Sequence, residues 1–244
     1  MEIAGVPTRW VRAPREVEAL AQGDPVSAVW ENQVGGLTFR IGEPIPRAYV
    51  KWAPAGSRVD FAVEAERMRW AGQFTAVPHI LDVGSSESGS WLLTRAVNGE
   101  SAVSRRWAED PLTAVRGIGS GLRSLHDALP VDDCPFSWSV QTRTAGLSAG
   151  VVSELPPIPP VDKLVVCHGD ACAPNTLLDE NGQWIAHVDF GSLGLADRWA
   201  DIAAATWSTE WNYGPGFEDA LPDAYGVDPD PVRTEFYRAL WGID

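Results

Sequence analysis

The alternation of apolar and polar positions predicts a sheet in the first part of the chain. Short apolar runs with branched and aromatic residues are bounded by polar or glycine-containing turns, a pattern typical of strands. A short helix is expected over 16–22 and a longer one from about 57 to 71, where apolar residues recur at helical spacing. The expected strands lie at 26–30, 37–41, 48–52, 77–83 and 90–94. The first part therefore predicts a mostly antiparallel sheet with a long helix.

The pattern becomes helical after Asp110. Asp110 is a favourable N-cap, and Pro111 suits the first helical position. An apolar stripe follows and predicts a helix that ends near His126: Leu112, Val115, Ile118, Leu122 and Leu125. Three glycines fall inside this helix, at Gly117, Gly119 and Gly121. We interpret them as positions of close packing, because a phosphate-binding loop would not lie in mid-helix.

Two apolar runs later in the chain predict a β-hairpin. They span 176–178 and 184–188, and a polar turn around Asn181-Gly182 separates them. Antiparallel pairing would bring Asn175, before the first strand, to the same end as Asp189, after the second. Asp170 lies on the loop that enters this end. Three oxygen-bearing side chains are therefore expected to converge.

Two carboxylates and an amide suit phosphoryl transfer. A carboxylate and an amide oxygen can hold Mg²⁺, which prefers hard oxygen ligands. The other carboxylate can accept a proton from an alcohol that attacks phosphorus. Protein kinases use the same parts in the spacing D-x-x-x-x-N followed by D-F-G. Here Asp170 and Asn175 have that spacing, and Asp189-Phe190-Gly191 follows.

The whole segment resembles the small-molecule kinases of the aminoglycoside phosphotransferase family, and most closely the bacterial enzymes that modify a 3′ or 3″ hydroxyl. The family motif V-V-x-H-G-D-x-x-x-x-N is matched by residues 165–175. The second motif, I-D-x-G-x-x-G-x-A-D-R-x-x-D-I-A, is matched at 188–203, with Val188 at its first position. The resemblance covers most of the chain and is strongest from Val165 to Ala203.

The resemblance implies an α+β fold of the bilobal protein-kinase-like type. A small antiparallel-sheet lobe, residues 1–97, would bind the nucleotide, and a mostly helical lobe, residues 98–244, would carry catalysis and the acceptor. The implied cofactors are Mg²⁺ and ATP, with GTP left open. Asp170 would orient or deprotonate the acceptor hydroxyl, while Asn175 and Asp189 would bind Mg²⁺. We interpret His168 as a brace for the loop.

The nucleotide side of the site is implied by the same resemblance. Lys51 takes the place of the ATP-binding lysine, and Glu64 is its expected partner because it lies on the margin of the apolar helical stripe, whereas Glu66 projects away from it. Residues 31–36, between the first two expected strands, form a loop with two glycines. Its backbone N–H groups could approach phosphates closely, or the loop could be an ordinary β-turn. The segment 95–99 resembles the hinge that meets adenine. The remaining nucleotide-binding candidates are Gly35, Gly36, Arg95 and Val97.

The acceptor side is less well marked. Glu210-Trp211 aligns with an acidic family position that contacts substrate amines, and Asp244 is a candidate from its location. The chain also departs from its relatives there. Only 31 residues separate Phe136 from His168, so a wall of the acceptor pocket is expected to be shortened. The acidic ending common in relatives is missing, and Ser192 replaces a frequent arginine.

A second group of residues after the metal-binding motif is interpreted as structural. Asp197, Arg198 and Asp201 are expected to brace this segment through ion pairs and helix capping. The three cysteines, Cys134, Cys167 and Cys172, lack metal-ligand spacing and are interpreted as incidental free thiols.

Charge and composition narrow the classes of partner. The net charge of −14 argues against nucleic acid binding. It would favour a polycationic acceptor, but a solvated acidic surface explains it equally well. No apolar run approaches the length of a membrane span, and no charged-then-apolar leader is visible. We expect a cytoplasmic protein that does not bind membranes and is a monomer or homodimer.

The sequence thus predicts an ATP- and Mg²⁺-dependent O-phosphotransferase that modifies a 3′ or 3″ hydroxyl of an aminoglycoside and confers resistance. Two alternatives stay open: a kinase of the same fold acting on another hydroxylated metabolite, and a nucleotide-binding relative with a degraded acceptor site. Intact Asp170, Asn175, Asp189 and Lys51 argue against the nucleotide-binding relative without turnover. A purely structural or partner-binding protein is the least favoured, and absence of Mg·ATP binding would be its signature.

Overall fold

A computed structural model describes residues 4–32 and 34–243. The chain forms two compact units. The first comprises residues up to Arg69 together with Pro78–Val97, and the second comprises Trp70–Val77 and the chain from Asn98 onward. The sequence placed 70–77 in the first lobe, whereas the Trp70 ring lies 5.2 Å from that of Phe74 and 5.9 Å from that of Phe136, inside the second unit.

The first unit contains a five-stranded antiparallel sheet, as the sequence predicts. The strands are in the order β1-β2-β3-β5-β4. Its elements are α1 (Arg15–Ala21), β1 (Val26–Glu31), β2 (Leu37–Ile41), β3 (Ala48–Pro54), α2 (Phe61–Ala71, which runs into the second unit), β4 (Ile80–Ser85) and β5 (Gly89–Arg95). Its buried core contains Val17, Ala21, Phe39, Ile41, Ala48, Val50 and Leu93.

Two boundaries differ from the sequence prediction for physical reasons. Helix α2 begins at Phe61 and not near 57, because the Asp60 carboxylate accepts the backbone N–H groups of Ala62 and Val63 at 3.0 and 3.1 Å and caps the helix. Strand β4 begins at Ile80, after Pro78, whose missing N–H cannot join a ladder.

The second unit is mostly helical, with two small sheets ordered β10-β7 and β6-β8-β9. Its elements are β6 (Glu100–Ser101), α3 (Arg105–Glu109), α4 (Pro111–Ala128), α5 (Val140–Thr144), α6 (Ala149–Ser153), β7 (Leu164–Cys167), β8 (Thr176–Leu178), β9 (Trp184–His187), β10 (Gly194–Asp197), α7 (Trp199–Tyr213), α8 (Ala220–Tyr225) and α9 (Pro231–Trp241). In the described ranges, residues 4–32 and 34–243, no helix combines the length and the apolar character that a bilayer crossing requires.

Helix α4 runs through the core of the second unit, and its glycines are close-packing positions, as predicted. A Cβ at Gly117 would lie 2.6 Å from the carbonyl oxygen of Gly182, one at Gly119 would lie 2.5 Å from that of Leu221, and one at Gly121 would lie 2.5 Å from the Trp184 ring. Asp110 caps the helix by accepting the N–H of Thr113. The glycines therefore let α4 pack directly against the β8–β9 hairpin and α8.

Candidate active site

The loop between β7 and β8 places Asp170 beside Asn175. The Asn175 side-chain nitrogen Nδ2 donates to the backbone carbonyl of Asp170 at 2.8 Å and to its carboxylate Oδ2 at 3.1 Å. Because Nδ2 makes both contacts, the side-chain oxygen Oδ1 of Asn175 is the atom that can bind a cation. The loop therefore fixes the orientation of the amide as well as its position.

The β8–β9 hairpin brings the next acid to this loop. The N–H of Val188 donates to the carbonyl of Asn175 at 2.9 Å, which closes the end of the hairpin directly before Asp189. Asp189 has a left-handed backbone, with φ of 70° and ψ of 56°. A non-glycine residue rarely adopts this conformation, and such strain concentrates at functional sites. The following Phe190 is fully buried and anchors the turn.

His168 braces the loop, as the sequence predicts. Its ring is buried, its Nε2 lies 2.9 Å from the carbonyl oxygen of Val188, and its Nδ1 accepts the N–H of Asp170 at 3.3 Å. The ring also packs against Phe190, with centroids 5.1 Å apart. Both nitrogens are thus used to join the loop to the segment before Asp189.

The electrostatics of the loop favour a cation. Burial, followed by the negative charge of Asp189, raises the pKa of Asp170, and His168, Cys172 and Asn175 oppose this rise. A neighbouring like charge disfavours the ionised form of a carboxylate. A divalent cation bound beside Asp170 would oppose that effect and favour the carboxylate.

Cys172 contacts the same carboxylate. Its thiol donates to Oδ1 of Asp170 at 3.3 Å. Burial, followed by the charge of Asp170, raises the pKa of this thiol well above its ordinary value, so it stays protonated and remains a donor. The neighbouring Ser208 of α7 accepts the N–H of Ala173 at 2.9 Å and holds this part of the loop.

A buried carboxylate on α7 fixes the start of the loop. Asp201 is fully buried and accepts the backbone N–H groups of His168 at 2.6 Å and Gly169 at 2.9 Å. Its Oδ2 also lies 2.8 Å from Nε2 of His126 on α4, and Nδ1 of the same ring lies 2.8 Å from the Tyr225 hydroxyl on α8. Asp201 is thus structural, as predicted, and joins three helices to the loop that carries Asp170.

Asp197 and Arg198 also brace this region, in agreement with the sequence interpretation. Asp197 accepts the backbone N–H groups of Asp162 at 2.7 Å and Trp199 at 3.0 Å. The Arg198 side chain donates to Asp162 at 2.6 Å. These contacts hold β10 and the start of α7.

In the first unit, Lys51 is paired with Glu64. Nζ of Lys51 lies 2.7 Å from Oε1 of Glu64, which is buried, whereas Glu66 is exposed. The choice of Glu64 over Glu66 as the partner is therefore confirmed. The helical spacing favoured Glu64 because Phe61, Ala65 and Met68 lie on the buried face of α2, and Glu64 borders that face.

The β1–β2 loop is held by the side chain of Asn32. Its Oδ1 accepts the N–H groups of Val34 at 3.1 Å and Gly36 at 2.6 Å. Gly35 has a φ of 80°, which favours glycine, and a Cβ there would meet no atom within 4 Å. Both N–H groups are thus directed at Asn32, so phosphate binding by this loop would require Asn32 to release them.

The segment after β5 carries the other nucleotide-binding candidates. The N–H of Arg95 donates to the carbonyl of His79 at 2.8 Å, and that of Ala96 donates to Arg47 at 3.0 Å. Val97 follows and is half-buried. The backbone donors of Arg95 and Ala96 are thus already used within the first unit.

Two of the acceptor candidates, Glu210 and Trp211, lie on α7. Oε1 of Glu210 accepts a hydrogen bond from Arg238 at 2.7 Å, so its charge is already balanced. Trp211 is 46% exposed and packs with Trp207 and Trp241. The remaining acceptor candidate, Asp244, lies outside the described residues.

Comparison with known proteins identifies the family. Residues 144–237 match a model described as the phosphotransferase enzyme family. The aminoglycoside 3′-phosphotransferase of Streptomyces fradiae is 32% identical over 251 residues, covering 87% of this chain and 92% of the relative. The chain belongs to the aminoglycoside phosphotransferase family. This phosphotransferase is also 32% identical to the streptomycin 3″-kinase of Streptomyces griseus, with 92% of this chain and 96% of the relative covered.

Solved structures confirm the protein-kinase-like α+β fold. Aminoglycoside phosphotransferase APH(3″)-Id from Streptomyces rimosus, in complex with ADP and streptomycin, superimposes on this phosphotransferase with a TM-score of 0.65. The two chains are 26% identical, and the match covers 84% of this chain and 88% of the other.

Several residues around the phosphotransferase site escaped the sequence interpretation. Cys172 was interpreted as incidental, yet its thiol contacts Asp170. In the sequence, His126 marked only the end of a predicted helix, and no motif or spacing pointed to a role for Tyr225 or Arg238. Their contacts join segments far apart in the chain, which spacing within a motif cannot reveal.

Proposed function

We propose that this phosphotransferase transfers the γ-phosphoryl group of ATP to a 3′ or 3″ hydroxyl of an aminoglycoside and thereby confers resistance. The observation that carries the proposal is the convergence of Asp170, Asn175 and the end of the hairpin before Asp189 on one loop. The substrates named for the relatives support the choice of acceptor.

In this proposal Asp170 orients the acceptor hydroxyl and accepts its proton. Asn175, through Oδ1, and Asp189 would hold Mg²⁺. The donor set fits this ion because both residues offer hard oxygens beside the carboxylate of Asp170, whose pKa is raised by burial and then by the charge of Asp189. Mg²⁺, when bound, offsets charge on the transferring phosphoryl group. Most of the acceleration would come from such positioning and electrostatics.

The first lobe, residues 1–97, would bind the nucleotide. Lys51, held by Glu64, would meet the α- and β-phosphates. Gly35 and Gly36 would approach the phosphates once Asn32 releases the loop, and backbone groups at Arg95 to Val97 would meet the base. GTP could replace ATP. The second lobe, residues 98–244, would bind a cationic acceptor. Use of ATP agrees with a cytoplasmic location, and we propose a monomer or homodimer.

A second candidate function is phosphorylation of another hydroxylated metabolite. The pairing of Glu210 with Arg238 favours it, because an acid expected to contact substrate amines is already engaged. Both functions share the nucleotide chemistry and differ only in the acceptor.

The test is Mg·ATP turnover by the purified protein against a panel of aminoglycosides, with a no-acceptor control and the Asp170→Ala variant. Phosphorylation of streptomycin or a kanamycin-like compound by the wild type alone is the expected result. Nucleotide binding without turnover of any aminoglycoside would favour the second candidate. Turnover by Asp170→Ala would refute the role of Asp170.

A further inference from the structure

A row of four packed rings connects the β8–β9 hairpin to the loop that carries Asp170. The ring centroids of Trp184 and His187 are 5.3 Å apart. Those of His187 and His168 are 5.5 Å apart, and those of His168 and Phe190 are 5.1 Å apart. His187 therefore links the tryptophan of the hairpin to the ring that braces the loop.

A hydrogen bond from Trp184 fixes the His187 ring. Nε1 of Trp184 donates to Nδ1 of His187 at 3.0 Å, and the indole itself packs on Gly121 of α4. An indole nitrogen can only donate, so Nδ1 of His187 carries no proton. The ring is therefore neutral, and its proton lies on Nε2. The hydrogen bond thus sets both the orientation and the tautomer of His187.

The other nitrogen of His187 destabilises the fold. The residue is 1% exposed, and among the residues that the structure describes its Nε2 has no hydrogen-bond partner. A buried donor that is left unpaired costs free energy, and an apolar side chain at the same position would avoid this cost. Stability alone therefore does not explain an imidazole at position 187. An unpaired buried polar group in a native structure calls for another explanation.

The packing of His187 on His168 supplies that explanation. Nδ1 of His168 accepts the N–H of Asp170 at 3.3 Å, a distance longer than most hydrogen bonds, and its Nε2 lies 2.9 Å from the carbonyl oxygen of Val188. Both contacts depend on where the His168 ring stands, and a small displacement would break the longer one. Phe190 and His187 both pack on this ring and hold it in place.

We infer that His187, oriented by Trp184, is a positioning residue for the proposed phosphoryl transfer. Its ring holds the His168 ring at the point from which that ring joins Asp170 to Val188. The inference rests on the proposed role of Asp170. It adds a residue that lies directly before the second family motif, at 188–203, and to which no motif or spacing gave a role.

The kinetic test compares His187→Leu and His187→Phe in the full chain. His79→Leu is the matched control, because His79 is exposed and lies in the first unit. The measurements are kcat and KM for the aminoglycoside that the wild type phosphorylates, together with KM for ATP. We expect kcat to fall about three- to tenfold in His187→Leu and less in His187→Phe, which keeps a ring, with both KM values unchanged.

Thermal unfolding separates positioning from damage to the fold. His187→Leu removes the unpaired Nε2 but leaves Nε1 of Trp184 without its acceptor, and these two changes oppose each other. The melting temperature of His187→Leu is therefore expected to stay close to that of the wild type while kcat falls. A melting temperature that falls in parallel with kcat would show that His187 only supports the fold.

A nuclear magnetic resonance readout follows the His168 ring directly. The chain contains four histidines, so labelling histidine with ¹⁵N gives few ring signals. His187→Leu should displace the ring signals of His168 and leave those of the exposed His79 in place. Trp184→Phe removes the donor to His187 but keeps a ring, and it should change the tautomer of His187 and lower kcat. This variant decides the matter if His187→Leu does not fold.

The outcomes separate the inference from the function on which it rests. An unchanged kcat in a folded His187→Leu variant would overturn the inference, as would His168 ring signals that stay in place. If the wild type phosphorylates no aminoglycoside, the proposed function fails. The His168 signals would then still decide whether His187 positions that ring.

Discussion

The thiol of Cys172 donates a hydrogen bond to Oδ1 of Asp170, while Asn175 donates to Oδ2 of the same carboxylate. Two donors from one loop thus hold the two oxygens of the group proposed to receive the acceptor's proton. Because the pKa of the thiol is raised by burial and by Asp170, it donates throughout the neutral range. The position of Asp170 therefore depends on Cys172, which occupies a position that the family motif leaves unspecified.

Replacement of Cys172 tests this dependence. Cys172→Ala removes one donor, and kcat is expected to fall about five- to tenfold, the effect of about 1 kcal/mol of lost positioning. Cys172→Ser keeps a donor and should retain most of the activity. Steady-state kinetics give the comparison, with KM for ATP as the internal control. Equal activity of the alanine variant and the wild type would exclude a positioning role.

Neutralising Asp170 should stabilise the protein while abolishing turnover. Its pKa is raised in the folded state, so the native protein binds more protons than the unfolded chain as pH rises above the ordinary carboxyl range. Stability is therefore lost as pH rises through the raised pKa. Asp170→Asn cannot ionise, and its amide can accept from Asn175 and donate to the sulfur of Cys172.

We expect the melting temperature of Asp170→Asn, without divalent cations, to exceed that of the wild type, with a difference that grows as pH rises above the ordinary carboxyl pKa. Thermal unfolding followed by circular dichroism measures it. Asp133→Asn, at an exposed acid, is the control and should show no such trend. A less stable Asp170→Asn variant would show that the charge of Asp170 stabilises the fold.

Asp201→Asn should damage both stability and activity. Burial alone would raise the pKa of Asp201, but the hydrogen bond from His126, its charge and the backbone donors outweigh burial and lower it. The substitution leaves His126 and two backbone N–H groups with one neutral acceptor. A loss of about 3–5 kcal/mol in the free energy of unfolding is expected, since a buried pair is broken.

Urea denaturation measures this loss, and the pH dependence distinguishes it from a packing defect. A carboxylate with a lowered pKa contributes stability above the ordinary carboxyl pKa, and that contribution is lost as pH falls through the lowered value. The wild type should therefore lose its advantage over Asp201→Asn in acid. Tyr225→Phe, which keeps the carboxylate and its three donors, should be the milder variant. A constant difference across pH would point to packing alone.

The sequence predicted those features whose cause lies in nearby residues. Strands β1 to β5, the cap at Asp110 and the hairpin that joins Asn175 to Asp189 follow from alternation, capping and turn chemistry within short segments. The start of α2 was missed, although Asp60 is a recognisable N-cap. The predicted start of α2 was taken from the spacing of its apolar residues, and a polar N-cap does not contribute to that spacing.

The parts of the site that the sequence could not predict depend on contacts across the fold. His126 reaches Asp201 over 75 positions, and Arg238 reaches Glu210 over 28. Neither pair has a periodic signal, because each partner is set by how helices pack. The acceptor side was least predictable, since a glutamate that looked available in sequence is paired in the structure.

The pairing of Lys51 with Glu64 gives the clearest test of the nucleotide side. Glu64→Gln keeps a neutral hydrogen-bond acceptor and the shape of a buried residue, but removes the charge that orients the ammonium. We expect KM for ATP to rise and kcat to fall, so that kcat/KM for ATP decreases about tenfold. This loss is within the range expected for a hydrogen bond between charged groups. The KM for the acceptor should stay unchanged. Glu66→Gln is the matched control, because Glu66 is exposed and lies two residues after Glu64 on α2. Steady-state kinetics with ATP and acceptor varied separately decide the matter. An effect of Glu66→Gln as large as that of Glu64→Gln, or a change confined to the acceptor, would show that the ion pair does not serve the nucleotide.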